Sequence, residues 1–81
     1  MKKNKEVKGV ARMENIKISL AAARVNAKMT QSDVAEAMKV SKVTIINWEN
    51  GKVIPSFASL QVLSSIYRIP INNIFLPKKS T

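Results

Sequence analysis

The chain has no cysteine and no histidine. Zinc fingers, disulfide staples, thiol nucleophiles and imidazole acid–base chemistry are therefore excluded. With only 2 glycines and 5% aromatic residues, it lacks the tight turns and packed rings of a small barrel or sandwich. Acidic residues are also scarce, 5 against 14 lysines and arginines, and their scatter offers no paired acid and base for hydrolysis or group transfer. No enzyme is expected, and no metal, cofactor or small-molecule substrate. No apolar run approaches the ~18 residues of a membrane span. The segment after the N-terminal lysines is interrupted by Arg12, Glu14, Lys17 and Arg24, which argues against a signal peptide. A cysteine-free basic chain of this kind is at home in the cytoplasm.

What remains is a basic chain able to build one modest core. Its 81 residues are 46% hydrophobic and carry a net charge of +9, which points to a polyanionic partner or an anionic surface. Residues 1–13 read as a flexible basic arm, 14–77 as the folded domain and 78–81 as a basic tail. Apolar spacing predicts a first helix from Asn15 to Ala27, with Leu20, Ala23 and Ala27 facing the core and Ile16 assisting. Thr30 is a good N-cap, and Asp33 supplies the acid of a capping box. The second helix follows from Gln31 to Met38, burying Val34, Ala35 and Met38. Lys39 and Val40 turn the chain, Ser41 caps a third helix from Lys42 to Asn50, and Gly51 stops it. Ser56 caps a fourth helix, where Phe57, Leu60, Leu63 and Tyr67 recur at helical spacing beside Val62 and Ile66. Pro70 opens a short fifth helix through Ile71, Ile74 and Phe75, closed by Pro77. The expected architecture is all-α, a compact five-helix domain with a helix-turn-helix at its second and third helices.

The third helix carries the most informative surface. If Ile45 and Trp48 face the core, steps of about 100° place Val43, Asn47 and Asn50 opposite, with Ile46 on the flank and Lys42 at the mouth. Val43 and Ile46 are suited to thymine methyl groups. Asn47 can bridge adenine N6 and N7, and Lys42 can donate to guanine O6 and N7. The alternative is that the two aliphatic side chains pack against another subunit or against the N-terminal arm.

An ordered set of residues extends this pattern: Thr30-Gln31, Val34-Ala35, Ser41, Thr44, Ile45, Trp48-Glu49-Asn50-Gly51-Lys52, Pro55-Ser56, Leu60, Leu63 and Ile69 through Phe75. The chain resembles the phage lambda repressor and Cro-like (XRE-type) helix-turn-helix family over residues 16–76. The resemblance implies phosphate contacts from Gln31, Ser41, Thr44, Asn50 and Lys52, and base readout from Lys42, Val43, Ile46 and Asn47. It also implies a partly buried salt bridge between Arg24 and Glu49. Where the family often has glycine after its helices, this chain has Lys28, Lys39 and Arg68. Lys39, in the turn of the motif, is the best placed of these to reach a phosphate. The implied function is sequence-specific binding of double-stranded DNA by a transcriptional regulator, a repressor inserting its third helix in the major groove. A homodimer on a palindromic site is the geometric expectation. The alternative function is an antitoxin-like or phage regulatory module that binds a protein partner through the same helical surface.

Overall fold

Each helix begins where a hydroxyl side chain takes over an orphan backbone N–H. In the computed structural model, which describes residues 16–77, helix α1 spans Leu20–Asn26 and starts at Ser19, whose Oγ accepts from Ala22 N at 3.0 Å. Helix α2, Gln31–Met38, opens with a complete capping box: Thr30 Oγ1 accepts from Asp33 N at 3.0 Å, and Thr30 N donates to Asp33 Oδ2 at 2.9 Å. These bonds favour the ionised acid and hold the Asp33 carboxyl below the usual range. Ser41 caps α3, Lys42–Glu49, by accepting from Thr44 N, and Ser56 caps α4, Phe57–Tyr67, by accepting from Ser59 N.

The helix ends require left-handed backbone, and three of them place a cation there. Lys28, Lys39 and Arg68 have φ of 60°, 59° and 57°, while Gly51 has φ of 82°. A non-glycine residue in this region is disfavoured by about 1–2 kcal/mol, because Cβ crowds the following carbonyl oxygen. Returning backbone hydrogen bonds hold the conformation: Val40 N reaches Ala35 O at 3.0 Å, and Ile69 N reaches Ser64 O at 3.1 Å. All three residues lie just past helix C-termini, the end at which a cation is favoured by the helix dipole.

The described residues contain four α-helices, where five were expected. The segment after Pro70 forms a single 3-10 turn, Ile71–Asn73, and then strand β2, Ile74–Phe75. Pro70 and Pro77 leave little length for an α-helix, and β-branched Ile71 and Ile74 favour extended backbone. The first helix is shorter than expected for a related reason. Residues 16–19 are not helical: Ile18–Ser19 forms β1, paired in parallel with β2 in the register Ile18 to Ile74 and Ser19 to Phe75. Asn73 Nδ2 donates to Ile16 O at 2.7 Å, and Lys17 Nζ donates to Asn72 O at 2.6 Å, bracketing the pair with side-chain bonds. The architecture is thus mostly helical with one two-stranded seam. The expected arm, residues 1–13, and tail, 78–81, lie outside the described residues.

Leu20, Ala23, Val34, Ala35, Ile45, Trp48, Leu60, Leu63, Tyr67, Ile69 and Ile74 form one buried cluster drawn from every helix and from β2. Met38 and Ala27 pack at its margin, half-buried. Two expected core residues stay outside it, Ile16 at 47% exposure and Phe57 at 65%. Ile16 precedes the seam instead of lying on a helix. Phe57 has the right spacing from Leu60 but is the first residue of α4. A helical side chain leans over the turn N-terminal to its own Cα, and at Phe57 that direction leads off the helix.

Leu63→Ala is accordingly expected to lower stability by about 2–5 kcal/mol, whereas Phe57→Ala should cost less than about 1 kcal/mol. Denaturant titration of both variants checks the assignment; equal losses would place Phe57 in the core after all.

Candidate nucleic-acid interface

The turn between α2 and α3 sets the surface that α3 offers. Ile45 and Trp48 are 1% and 7% exposed, and they anchor one side of α3 against Val34 and Ala35 in the shared core. Helical geometry then turns the other side outward. Lys42, Val43 and Asn50 are exposed, and Ile46 and Asn47 are half-buried along the same side. Val43 shows 61% of its surface, so a β-branched aliphatic side chain stands on the outer side of the helix. The four residues expected to read bases are therefore brought together on one surface.

The residues expected to meet the sugar-phosphate backbone flank it, and several are already engaged internally. Ser41 Oγ caps α3 and also shares a hydrogen bond with Thr44 Oγ1 at 2.9 Å, so the two hydroxyls form one unit at the helix mouth. At the other end, Asn50 Oδ1 accepts from Lys52 N at 3.1 Å, and Lys52 N also reaches Asn47 O at 2.9 Å. This fixes the Asn50 amide by its oxygen. Its NH2 group, the half able to donate to a phosphate oxygen, is left without a partner among the described residues. Lys39 and Lys52 are both exposed, one at each end of α3.

Behind this surface the expected pair of Arg24 and Glu49 is formed. Arg24 Nε donates to Glu49 Oε2 at 2.7 Å and Nη2 donates to Oε1 at 3.3 Å, the forked geometry of a guanidinium on a carboxylate. The third guanidinium nitrogen, Nη1, donates to Met29 O at 3.0 Å. The Arg24 and Glu49 side chains are 16% and 8% exposed. Hydrogen bonding to Glu49 raises the Arg24 pKa above its ordinary value, although burial opposes it. Gln31 joins the pair, which sequence reading did not foresee: its Nε2 donates to Glu49 Oε1 at 3.0 Å. No local signal links residues 18 positions apart, because only the crossing of α2 and α3 brings them together.

Tyr67 lies in the same electrostatic neighbourhood at the end of α4. Burial raises its phenol to about 12, the Glu49 charge adds to the rise, and Arg24 acts in the opposite sense. Among the described residues no cluster of acids could hold a metal ion, and no helix is long and apolar enough to cross a membrane.

Comparison with known proteins matches a helix-turn-helix family model to residues 20–74. The HTH-type transcriptional activator BcrR of Enterococcus faecalis is 33% identical over 51 residues, covering 63% of this chain and 25% of that protein. The chain thus spans about a quarter of the length of that relative. No solved structure gives a significant match.

Two outcomes follow from these ionisable side chains. Arg24→Met leaves the Glu49 carboxylate without its cation and is expected to destabilise the fold by about 3–5 kcal/mol, more than the double change with Glu49→Leu. Equal thermal midpoints for the single and double variants would refute the pair. For Tyr67, the folded state retains a proton that the unfolded state releases near pH 10, so its contribution is complete below that pH and is lost towards about 12. Stability should fall by up to about 2–3 kcal/mol across that window, and less in Tyr67→Phe. The chain has one tyrosine, so ultraviolet titration of tyrosinate reads this group directly; a midpoint near 10 in the folded protein would contradict the shift.

Proposed function

The chain belongs to the XRE-type helix-turn-helix family, and from that premise we propose that it is a sequence-specific DNA-binding transcriptional regulator that acts as a repressor. The observation that carries this reading is the outer surface of α3. A helix held by Ile45 and Trp48 carries on its outer side the exposed Lys42 and Val43 with the half-buried Ile46 and Asn47 beside them, where a solvated helix would carry charges. Lys42, Val43, Ile46 and Asn47 would read base edges in the major groove. Gln31, Ser41, Thr44, Asn50, Lys52 and Lys39 would hold the sugar-phosphate backbone and set the register of α3. The net charge of +9 favours approach to any duplex, so specificity must come from the base-facing residues.

Repression would follow from occupancy, since a small domain seated over promoter DNA excludes other proteins from it. Two copies on half-sites about one turn of DNA apart would give a palindromic site. The relative matched here is named an activator, so the direction of regulation is part of the proposal and not inherited from that match.

Selection from random duplex sequences with purified protein tests the reading. Enrichment of one motif, with a loss of at least about tenfold in affinity for it in Asn47→Ala, is the expected result. A two-fold symmetric motif would support dimeric binding. Failure to enrich any sequence, together with tight binding of a protein partner that survives Lys42→Ala and Asn47→Ala, would instead favour a protein-interaction module.

A further inference from the structure

Glu49 is the last residue of α3 and Gln31 the first of α2, yet a single carboxylate oxygen joins them. Resting on the duplex-binding reading above, we propose that Glu49 is a positioning residue for DNA: clamped by Arg24, it fixes the Gln31 amide so that one Nε2 hydrogen is held internally and the other is presented to a backbone phosphate.

The chemistry of the amide makes the clamp useful. A glutamine side chain ends in two groups of similar shape, an oxygen that repels phosphate and an NH2 that can donate to it. Left free, Gln31 would sample several rotamers and both orientations, and binding would have to select one of them. Glu49 is an acceptor only, so it draws the NH2 end towards itself and excludes the reverse orientation. Nitrogen carries two hydrogens, and the carboxylate occupies one. The second has no partner among the described residues, and Gln31 is half-buried, not enclosed.

Arg24 makes a carboxylate tolerable at this position. Alone, Glu49 would oppose the approach of a phosphate; two guanidinium donors at 2.7 and 3.3 Å neutralise it. The remaining bond, from Arg24 Nη1 to Met29 O at 3.0 Å, ties the guanidinium to the segment that leads directly into Thr30 and Gln31. Arg24, Glu49 and Gln31 are therefore a single network in which each member limits the freedom of the next.

A residue that only supported the fold would alter stability without altering how Gln31 contributes to binding. The test is a double-mutant cycle on the full chain, with Gln31→Ala and Glu49→Gln, read as affinity for a labelled mixed-sequence DNA duplex at several salt concentrations. Glu49→Gln replaces the acceptor-only carboxylate by an amide that can face Gln31 with either end. Gln31→Ala should weaken binding roughly tenfold when Glu49 is present and less than ~2-fold when it is Gln. Equal losses in the two backgrounds would overturn the positioning role while leaving duplex binding intact. Absence of duplex binding by the unaltered protein would overturn the functional reading itself.

If Glu49→Gln does not fold, the unaltered protein answers through its side-chain amide resonances. Gln61, the other glutamine, is exposed and serves as an internal reference. The two Gln31 amide hydrogens should be more widely separated than those of Gln61, and duplex addition should move one of them selectively. A Gln31 pair indistinguishable from that of Gln61, before and after duplex addition, would overturn the proposal.

Discussion

A nearly buried carboxylate constrains this small domain more than any other group. Among the described residues the buried cluster holds no charged side chain, and the Glu49 side chain, 8% exposed, stands at its edge. An ionised acid in such a place must be matched by a cation and by hydrogen bonds, or the desolvation penalty exceeds the rest of the local stabilisation. The donors come from α1 and from the first residue of α2, while the acid itself ends α3. Meeting the needs of one side chain therefore fixes three helices relative to one another. The net stabilisation of such a pair can be small, because attraction is offset by lost hydration. Its larger effect is orientation, since alternative helix angles would leave the acid unmatched.

That orientation determines what α3 exposes. Ile45 and Trp48 lock one side of the helix into the core, and the opposite side presents Lys42, Val43, Ile46 and Asn47 together. The same residues on an isolated helix would have no fixed outlook, and eight residues would not hold a helix in water. Caps and turns on either side complete the frame. Ser41 and Thr44 secure the entry to α3, and the Asn50–Lys52 turn, with Gly51 in left-handed backbone, closes its exit.

Charge and backbone conformation meet at the helix ends. Lys28, Lys39 and Arg68 all adopt left-handed backbone, where glycine would fit with less steric conflict. Each stands at a helix C-terminus, where the helix dipole favours a cation over a neutral residue. These positions also contribute three of the fourteen basic residues, so local backbone chemistry and long-range electrostatics are carried by the same side chains. The β1–β2 seam acts over a longer range. It joins the segment before α1 to the segment after the 3-10 turn and so closes the domain across almost the whole described chain.

The amino-acid sequence alone determined the helix-turn-helix, because its signals are local. Thr30 with Asp33, Ser41, Ser56 and Gly51 each satisfy or release backbone within a few residues, and the inward spacing of Ile45 with Trp48 and Leu60 with Leu63 follows from helical period. The pairing of Arg24 with Glu49 came from family resemblance and not from spacing. Tertiary structure decided the features in which local preference was weak or the partner was distant in sequence. The segment around Ile74 became a strand because residues 18–19 offered it backbone partners, and Phe57 was left outside because α4 begins at that residue. Gln31 was joined to Glu49 for a similar reason: nothing in either neighbourhood specifies the bond, which exists only once two helices cross with a buried carboxylate between them.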